Sequence, residues 1–162
     1  MRKSNPICSI SPVHSPDESR VSTLFLGNGE NRFEFEVKHR LTAEETLKLV
    51  SRVCSGVIPQ EGDVYLPELK DFYLRLAVLE NYTNVSLSEE HEGWELVYGT
   101  PIFAMVTGHT QRPVLFDGYE YDDNQLIDVE QYENIIRAID EKIKFYVRQR
   151  VLANVLRETL KL

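Results

Sequence analysis

The sequence DVEQYENIIRAIDEKIKFYVRQRVLANVLRETLKL, residues 128–162, decides the fold. It begins with Asp128 three residues before Gln131, a spacing typical of a capped helix start, and it contains neither proline nor glycine. Its apolar side chains recur mostly every three or four residues, which predicts one long helix. This apolar stripe consists of Val129, Tyr132, Ile136, Ile139, Ile143, Val147, Val151, Val155 and Leu160.

At about 1.5 Å per residue such a helix is roughly 50 Å long, whereas a domain of this size spans only about 30 to 40 Å. We therefore expect its last part, residues 147–162, to project and to offer an apolar face to a partner. A bend of this segment back onto the body is the alternative. The residues expected to contact a partner here are Arg148, Arg150, Leu152, Leu156 and Arg157.

Upstream of this helix, residues 20–38 have the features of a β-hairpin. Phe33, Phe35 and Val37 alternate with charged residues, which is the pattern of a strand with one solvated face. A second apolar run at 21–26 precedes it, and the glycine-containing segment 27–31 separates the two. A hairpin alone is marginally stable, so its apolar face needs a layer of helices or another chain beneath it.

Between the hairpin and the long helix, the sequence predicts three shorter helices. Thr42 and Glu45 form a capping box at the start of the first, which Pro59 and Gly62 close. Pro67 begins the second, which extends to about Tyr82 and forms the centre of the core. The apolar stripe predicted for the first helix is Ala43, Leu47, Val50, Cys54 and Val57.

The third of these helices begins near Ser88 and ends near Tyr98, with Trp94, Leu96 and Val97 on its buried side. Together these elements predict an α+β fold, an N-terminal β-hairpin packed on a bundle of three to four helices with a long C-terminal helix. We divide the chain into an extended arm at 1–19, a core domain at 20–146 and a C-terminal helical extension at 147–162.

Residues 107–127 form an insertion that has few helix signals. A loop this long is uncommon unless it has a function or contains a small hairpin, which Asp117-Gly118 would turn. We predict that this insertion contacts a partner. The residues expected to make the contact are Phe116, Asp117, Tyr119, Glu120, Tyr121, Asp122 and Asp123.

The net charge of the 162-residue chain is −8, and it is unevenly distributed. Residues 60–134 have three basic and sixteen acidic side chains, whereas residues 135–162 have seven basic and three acidic ones. Complementary charge of this kind favours ordered association between copies or neighbours, and the acidic middle repels nucleic acid. We therefore expect protein partners and no direct nucleic-acid binding.

Signals for catalysis and cofactors are weak throughout the sequence. The four histidines lie far apart, no glycine-rich phosphate loop occurs, and the two cysteines suggest neither a disulfide framework nor a metal site. No apolar run approaches the roughly 18 residues of a membrane span. We expect a protein that is not an enzyme, has no cofactor or metal, and does not enter a membrane.

Four runs of the sequence carry a resemblance to a known family: LTAEETLKLVSRVCSGVI, YLPELKDFYLRLAVLENYTNVSL, WELVYGTPI and IDVEQYENIIRAIDEKIKFYVRQ. They resemble small acidic proteins encoded in the structural gene modules of tailed bacteriophages of Gram-positive hosts. The likeness covers about residues 33–149 and consists of packing patterns, so it implies no functional residues. It implies a protein made in the host cytoplasm and built into the virion.

The resulting hypothesis is a non-catalytic bacteriophage virion or assembly component. It would act by binding copies of itself or other virion proteins in a symmetric assembly, and so be a homo-oligomer. The alternative is an acidic phage-encoded inhibitor of a host defence nuclease, a DNA mimic of the anti-CRISPR or anti-restriction type. The net charge of −13 over residues 60–134 favours that alternative.

Overall fold

The computed structural model describes residues 20–27, 30, 32–59, 65–87, 91–108 and 126–161. The predicted arm at 1–19 and the predicted contact residues between Phe116 and Asp123 lie outside the described residues. The α+β prediction is confirmed: an N-terminal hairpin is followed by short helices and one long C-terminal helix. The elements are β1 Val21–Leu26, β2 Phe33–Lys38, α1 Ala43–Val57, α2 Lys70–Tyr82, α3 His91–Gly99, α4 Ile102–Thr107 and α5 Val129–Leu160.

The hairpin pairs β1 with β2 in antiparallel register, with Leu24 opposite Phe35. Phe35 and Val37 are buried, as the alternating pattern predicts, whereas Phe33 near the turn is exposed. Val37 also bridges to Thr83, the residue that ends α2. This contact attaches the hairpin to the helices.

Helix α1 begins at the predicted capping box, and both of its hydrogen bonds are present. The Glu45 amide donates to Thr42 Oγ1 over 3.2 Å, and the Thr42 amide donates to Glu45 Oε2 over 3.0 Å. The predicted apolar stripe is wrong at its first two positions, because Ala43 is exposed and Leu47 is 68% exposed. The buried face is instead made by Leu49, Val50, Val53, Cys54 and Val57, since α1 packs against both α2 and α5.

Helices α1 and α2 approach each other closely at Gly56. A Cβ atom added there would lie 2.3 Å from Cγ of Tyr73, so only glycine leaves room for this ring. The contact places the apolar face of α2 in the centre of the core, as predicted. The fully buried residues of α2 include Leu76, Ala77, Val78, Leu79 and Tyr82.

Helices α3 and α4 differ from the sequence prediction. Val97 of α3 is buried, but Trp94 is 40% exposed and stacks face to face on Phe72 with ring centroids 3.8 Å apart. Helix α3 ends at Gly99, close to the predicted Tyr98, but Pro101 then begins α4, a helix that was not predicted and whose Ile102 and Val106 are buried. Pro fits there because the first turn of a helix leaves its amide groups unpaired.

Candidate protein-docking surface on helix α5

The position of α5 is fixed by a partly buried junction around Gln131. Its side-chain Oε1 accepts hydrogen bonds from the Leu41 amide over 2.8 Å and from the Tyr82 hydroxyl over 3.1 Å. Its Nε2 donates to the Leu41 carbonyl over 2.9 Å. One side chain therefore connects the starts of α1 and α5 with the end of α2.

Asp128 caps α5 and also holds the turn after β2. Its Oδ1 accepts from the Gln131 amide over 3.0 Å, and its own amide donates to the His39 carbonyl over 2.8 Å. Its Oδ2 lies 3.6 Å from a guanidinium nitrogen of Arg40. Burial and the nearby carboxylate of Asp128 raise the pKa of the Tyr82 hydroxyl well above its usual range, so this tyrosine stays a hydrogen-bond donor. The start of α5 is thus held rigidly against the body.

The proximal half of α5, residues 129–143, packs on the body in the ordinary amphipathic way. Its buried residues are Tyr132, Ile135, Ile139 and Ile143, and Asp140 pairs with Lys70 at the start of α2. The side that faces away from the body is exposed and polar. Its residues are Glu130, Asn134, Arg137 and Glu141.

In the distal half of α5, residues 145–160, the apolar side chains change sides. Because a helix turns by about 100° per residue, Leu152 and Leu156 continue the exposed row of Arg137 and Glu141, on the side away from the body. Leu152 is 62% exposed and Leu160 is 84% exposed. We call this surface the distal apolar face; it consists of Phe145, Val151, Leu152, Val155, Leu156 and Leu160, with Val151 and Leu160 at its two opposite edges.

The opposite side of the distal half is polar and faces the end of α1. Arg150 Nη2 donates to the Pro59 carbonyl over 2.8 Å, which orients this side toward the body. A cleft of about 590 Å³ lies between the two helices, lined by Ser51, Ser55, Lys142, Arg150, Asn154 and Arg157 among others. Burial raises the pKa of the Cys54 thiol at its floor, and nearby Lys142 opposes the shift only in part. A polar cleft of this kind does not attract the apolar face back onto the body.

The residues predicted as one contact surface therefore lie on two sides of α5. Arg148, Leu152 and Leu156 belong to the outward side, whereas Arg150 and Arg157 line the cleft. Phe145, which the sequence reasoning did not select, also faces outward. Its position seven residues before Leu152, two helical turns away on the same row, is the signal that could have found it.

A second, smaller exposed surface lies on α3. Trp94 and Tyr98 stack with ring centroids 5.6 Å apart, and the guanidinium of Arg75 lies 5.1 Å from the centroid of the Tyr98 ring. The Tyr98 hydroxyl donates to Asp71 Oδ2 over 2.9 Å, and burial together with this carboxylate raises the pKa of Tyr98 to about 12. These polar contacts are satisfied within the body, so the cluster extends the core to its edge.

Comparison with protein-family models, curated proteins and solved structures finds no match to this chain. Across the part of the chain that the structure describes, no helix has the length and apolar character that crossing a membrane requires. Among those same residues, no three side chains of His, Cys, Asp or Glu are grouped so that they could hold a metal ion. The resemblance to phage structural proteins remains a prediction from the sequence.

Proposed function

We propose that this protein is a non-catalytic binding component that docks other protein chains through the distal apolar face of α5. The observation behind the proposal is the change of side after Ile143. A helix that served only to cover the body would keep its apolar side chains inward and its charges outward to the end. In the distal half leucine side chains lie outward beside Arg148, and their apolar area is removed from water only if another molecule covers it.

The energy available from such a contact is substantial. Covering a leucine or phenylalanine side chain contributes roughly 1.5 to 3 kcal/mol, so several of them supply enough free energy to hold a partner. Because a contiguous exposed patch of this kind is rare on a chain without partners, it favours an interface over a chance feature of the surface.

The setting we propose for this contact is a bacteriophage virion or its assembly, in which the chain is repeated symmetrically. The resemblance of residues 33–149 to phage structural proteins supports this setting.

Site-specific photo-cross-linking tests the proposed docking surface. A photoreactive phenylalanine analogue at Leu152 should give a covalent adduct with a protein chain when the full-length protein is irradiated in the cells that make it and in the assemblies isolated from them. The same analogue at Arg137 is the matched control, because this residue lies on the same outward side in the polar proximal half. Equal yields at the two positions, or no adduct at Leu152, would contradict the proposal.

The nuclease-inhibitor alternative receives no specific support from the described residues. Eight of its sixteen acidic residues lie outside them, and the described carboxylates of Asp71 and Glu80 have basic neighbours in Arg75 and Arg52. An acidic surface that imitates DNA needs carboxylates that are free of such neighbours. This alternative therefore stays a prediction from charge alone.

A further inference from the structure

We propose that the distal apolar face is covered by the distal half of α5 from a second copy of this chain, with the two helices antiparallel. This inference rests on the proposed function and names its partner. The pairing is a two-fold contact, in which the same surface of both copies is used, so that no second complementary surface is required.

The shape of the face suits pairing with itself. It runs from Phe145 to Leu160, about 24 Å along the helix. A two-fold axis near Leu152 places Phe145 of one copy against Leu160 of the other and brings the two Leu152 side chains to the centre. The contact then joins Leu152 to Leu152 at its centre and Phe145 to Leu160 at both ends, and it places Leu156 beside Arg148 and Gln149 of the other copy.

The area of the face fits what a weak dimer requires. Its six side chains, each more than half exposed, present on the order of 100 Å² apiece, or on the order of 600 Å² per copy. Two copies together would bury about 1,200 Å², which is the lower end of the range for specific interfaces. An interface of this size is typical of weak association, so we expect the dimer to form within the micromolar concentration range.

The position of the body selects the antiparallel orientation. The body packs on residues 129–143, outside the proposed overlap, so antiparallel helices carry the two bodies at opposite ends. Parallel helices would bring the bodies side by side and align Arg148 with Arg148 of the second copy. Antiparallel pairing also opposes the two helix dipoles favourably.

The charges of the distal half give the pairing a diagnostic salt dependence. Residues 144–161 have five basic side chains and one acidic one, so two copies repel each other through these charges. Added salt screens this repulsion, and the self-association should therefore tighten as ionic strength rises. A different partner with acidic residues beside its own apolar face would show the opposite dependence, since salt would weaken its attraction to the arginines.

Analytical ultracentrifugation of the full-length chain tests the pairing. We expect a monomer–dimer equilibrium between about 1 and 300 μM, several-fold tighter at about 500 mM than at about 50 mM salt. Leu152→Glu should weaken it at least 100-fold with unchanged helix content and thermal midpoint. Leu47→Glu is the matched control, because it replaces an equally exposed leucine on α1, and it should leave the equilibrium unchanged.

Disulfide trapping tests the orientation in a chain whose Cys8 and Cys54 are replaced by alanine. Leu152→Cys, at the proposed axis and on the distal apolar face, should form an intermolecular disulfide rapidly. Phe145→Cys should not, because antiparallel pairing places the two copies of this position about 20 Å or more apart, far beyond disulfide reach. Rapid trapping at Phe145 would overturn the antiparallel arrangement.

Either of two outcomes would overturn the self-pairing. The first is a chain that stays monomeric at about 300 μM. The second is a Leu47→Glu variant that dissociates as readily as Leu152→Glu. The outcome at Leu152 in the photo-cross-linking experiment then separates the two proposals. A monomeric chain that still gives a Leu152 adduct with a different protein refutes only the second copy as partner. A monomeric chain without any adduct refutes the docking function as well.

Discussion

The proximal and distal halves of α5 belong to one uninterrupted helix, yet they relate to the body in opposite ways. The proximal half buries Ile135, Ile139 and Ile143 in the core beside α1, whereas every residue from 151 to 161 is exposed. A free helix of about 16 residues is marginal in water, but the distal half extends a helix that the body already nucleates. Backbone hydrogen bonding thus continues past the point where packing ends, which leaves an apolar surface for other contacts.

The largest effect that this comparison predicts comes from truncating a proximal core residue. Ile139→Ala should lower the free energy of unfolding by about 4 kcal/mol, because it removes a buried side chain and leaves a cavity. Leu152→Ala, measured by urea unfolding of the dilute monomer, should change it by less than about 0.5 kcal/mol. A similar loss for both variants would show that the distal half packs on the body.

The next effect comes from the Gln131 junction. Gln131→Ala should cost about 2 to 3 kcal/mol, because the Leu41 amide and the Tyr82 hydroxyl lose their buried hydrogen-bond partner. Gln149→Ala removes the same side chain from an exposed distal position and should have almost no effect. Chemical denaturation of both variants under identical conditions checks the prediction, and equal midpoints would refute it.

A smaller effect is expected at the helix cap. Asp128→Ala should lower the free energy of unfolding by about 1 kcal/mol, since the Gln131 amide loses its acceptor. Asp128→Asn keeps a capping oxygen and should recover most of this loss. Thermal unfolding of these variants gives the differences in free energy. Lys161→Ala, at the other end of α5, is the distal control and should leave the free energy of unfolding unchanged. A loss of stability for Lys161→Ala as large as that for Asp128→Ala would show that the two ends of α5 contribute equally to the stability of the fold.

The smallest expected effect is a dependence of stability on pH, and it arises from Glu45 at the start of α1. Burial alone would raise the pKa of Glu45, but hydrogen bonds from Lys38 and Thr42 outweigh it and hold that pKa below the ordinary value of 4.5. A carboxyl group whose pKa is lower in the folded chain stabilises the fold above its unfolded pKa, and this contribution is lost as the pH falls through the folded value.

Acidification from about pH 6 to about pH 3 should therefore cost the wild-type chain more stability than it costs Glu45→Gln, by less than about 1 kcal/mol. Urea unfolding at both pH values gives the difference. Glu158→Gln, an exposed distal substitution, should retain the wild-type dependence on pH. If the stability of Glu45→Gln fell with pH as much as that of the wild-type chain, Glu45 would not be the source of the pH dependence.

Local signals in the sequence were sufficient for the hairpin, the capping box of α1 and the extent of α5. Each depends on residues within a few positions of one another, such as Thr42 with Glu45. The exposure of Leu47 could not be predicted in this way, because it depends on which sides of α1 the helices α2 and α5 occupy. Helix α4 was missed because Pro101 is equally consistent with a stop and with a first helical turn.

The same distinction applies to the candidate surface. Leu152 and Leu156 were found because clustered leucines near the end of a long helix are visible in the sequence. The sequence could not show that these leucines lie on the side away from the body while Arg150 and Arg157 lie toward it. This assignment depends on the position of α1. The role of Gln131 had no local signal at all, since its partners Leu41 and Tyr82 are 90 and 49 residues away.

The separation of 90 residues between Leu41 and Gln131 also has a consequence for the order of folding. During synthesis the hairpin and α1 emerge long before the start of α5, so the Leu41 amide and the Tyr82 hydroxyl must remain hydrated until Gln131 arrives. Closing so large a loop costs entropy before its contacts form, and we therefore expect the docking of α5 to be a late step of folding. The body gains these hydrogen bonds only after residue 131 has been synthesised and α5 has docked, which couples the completion of the body to the appearance of its docking helix.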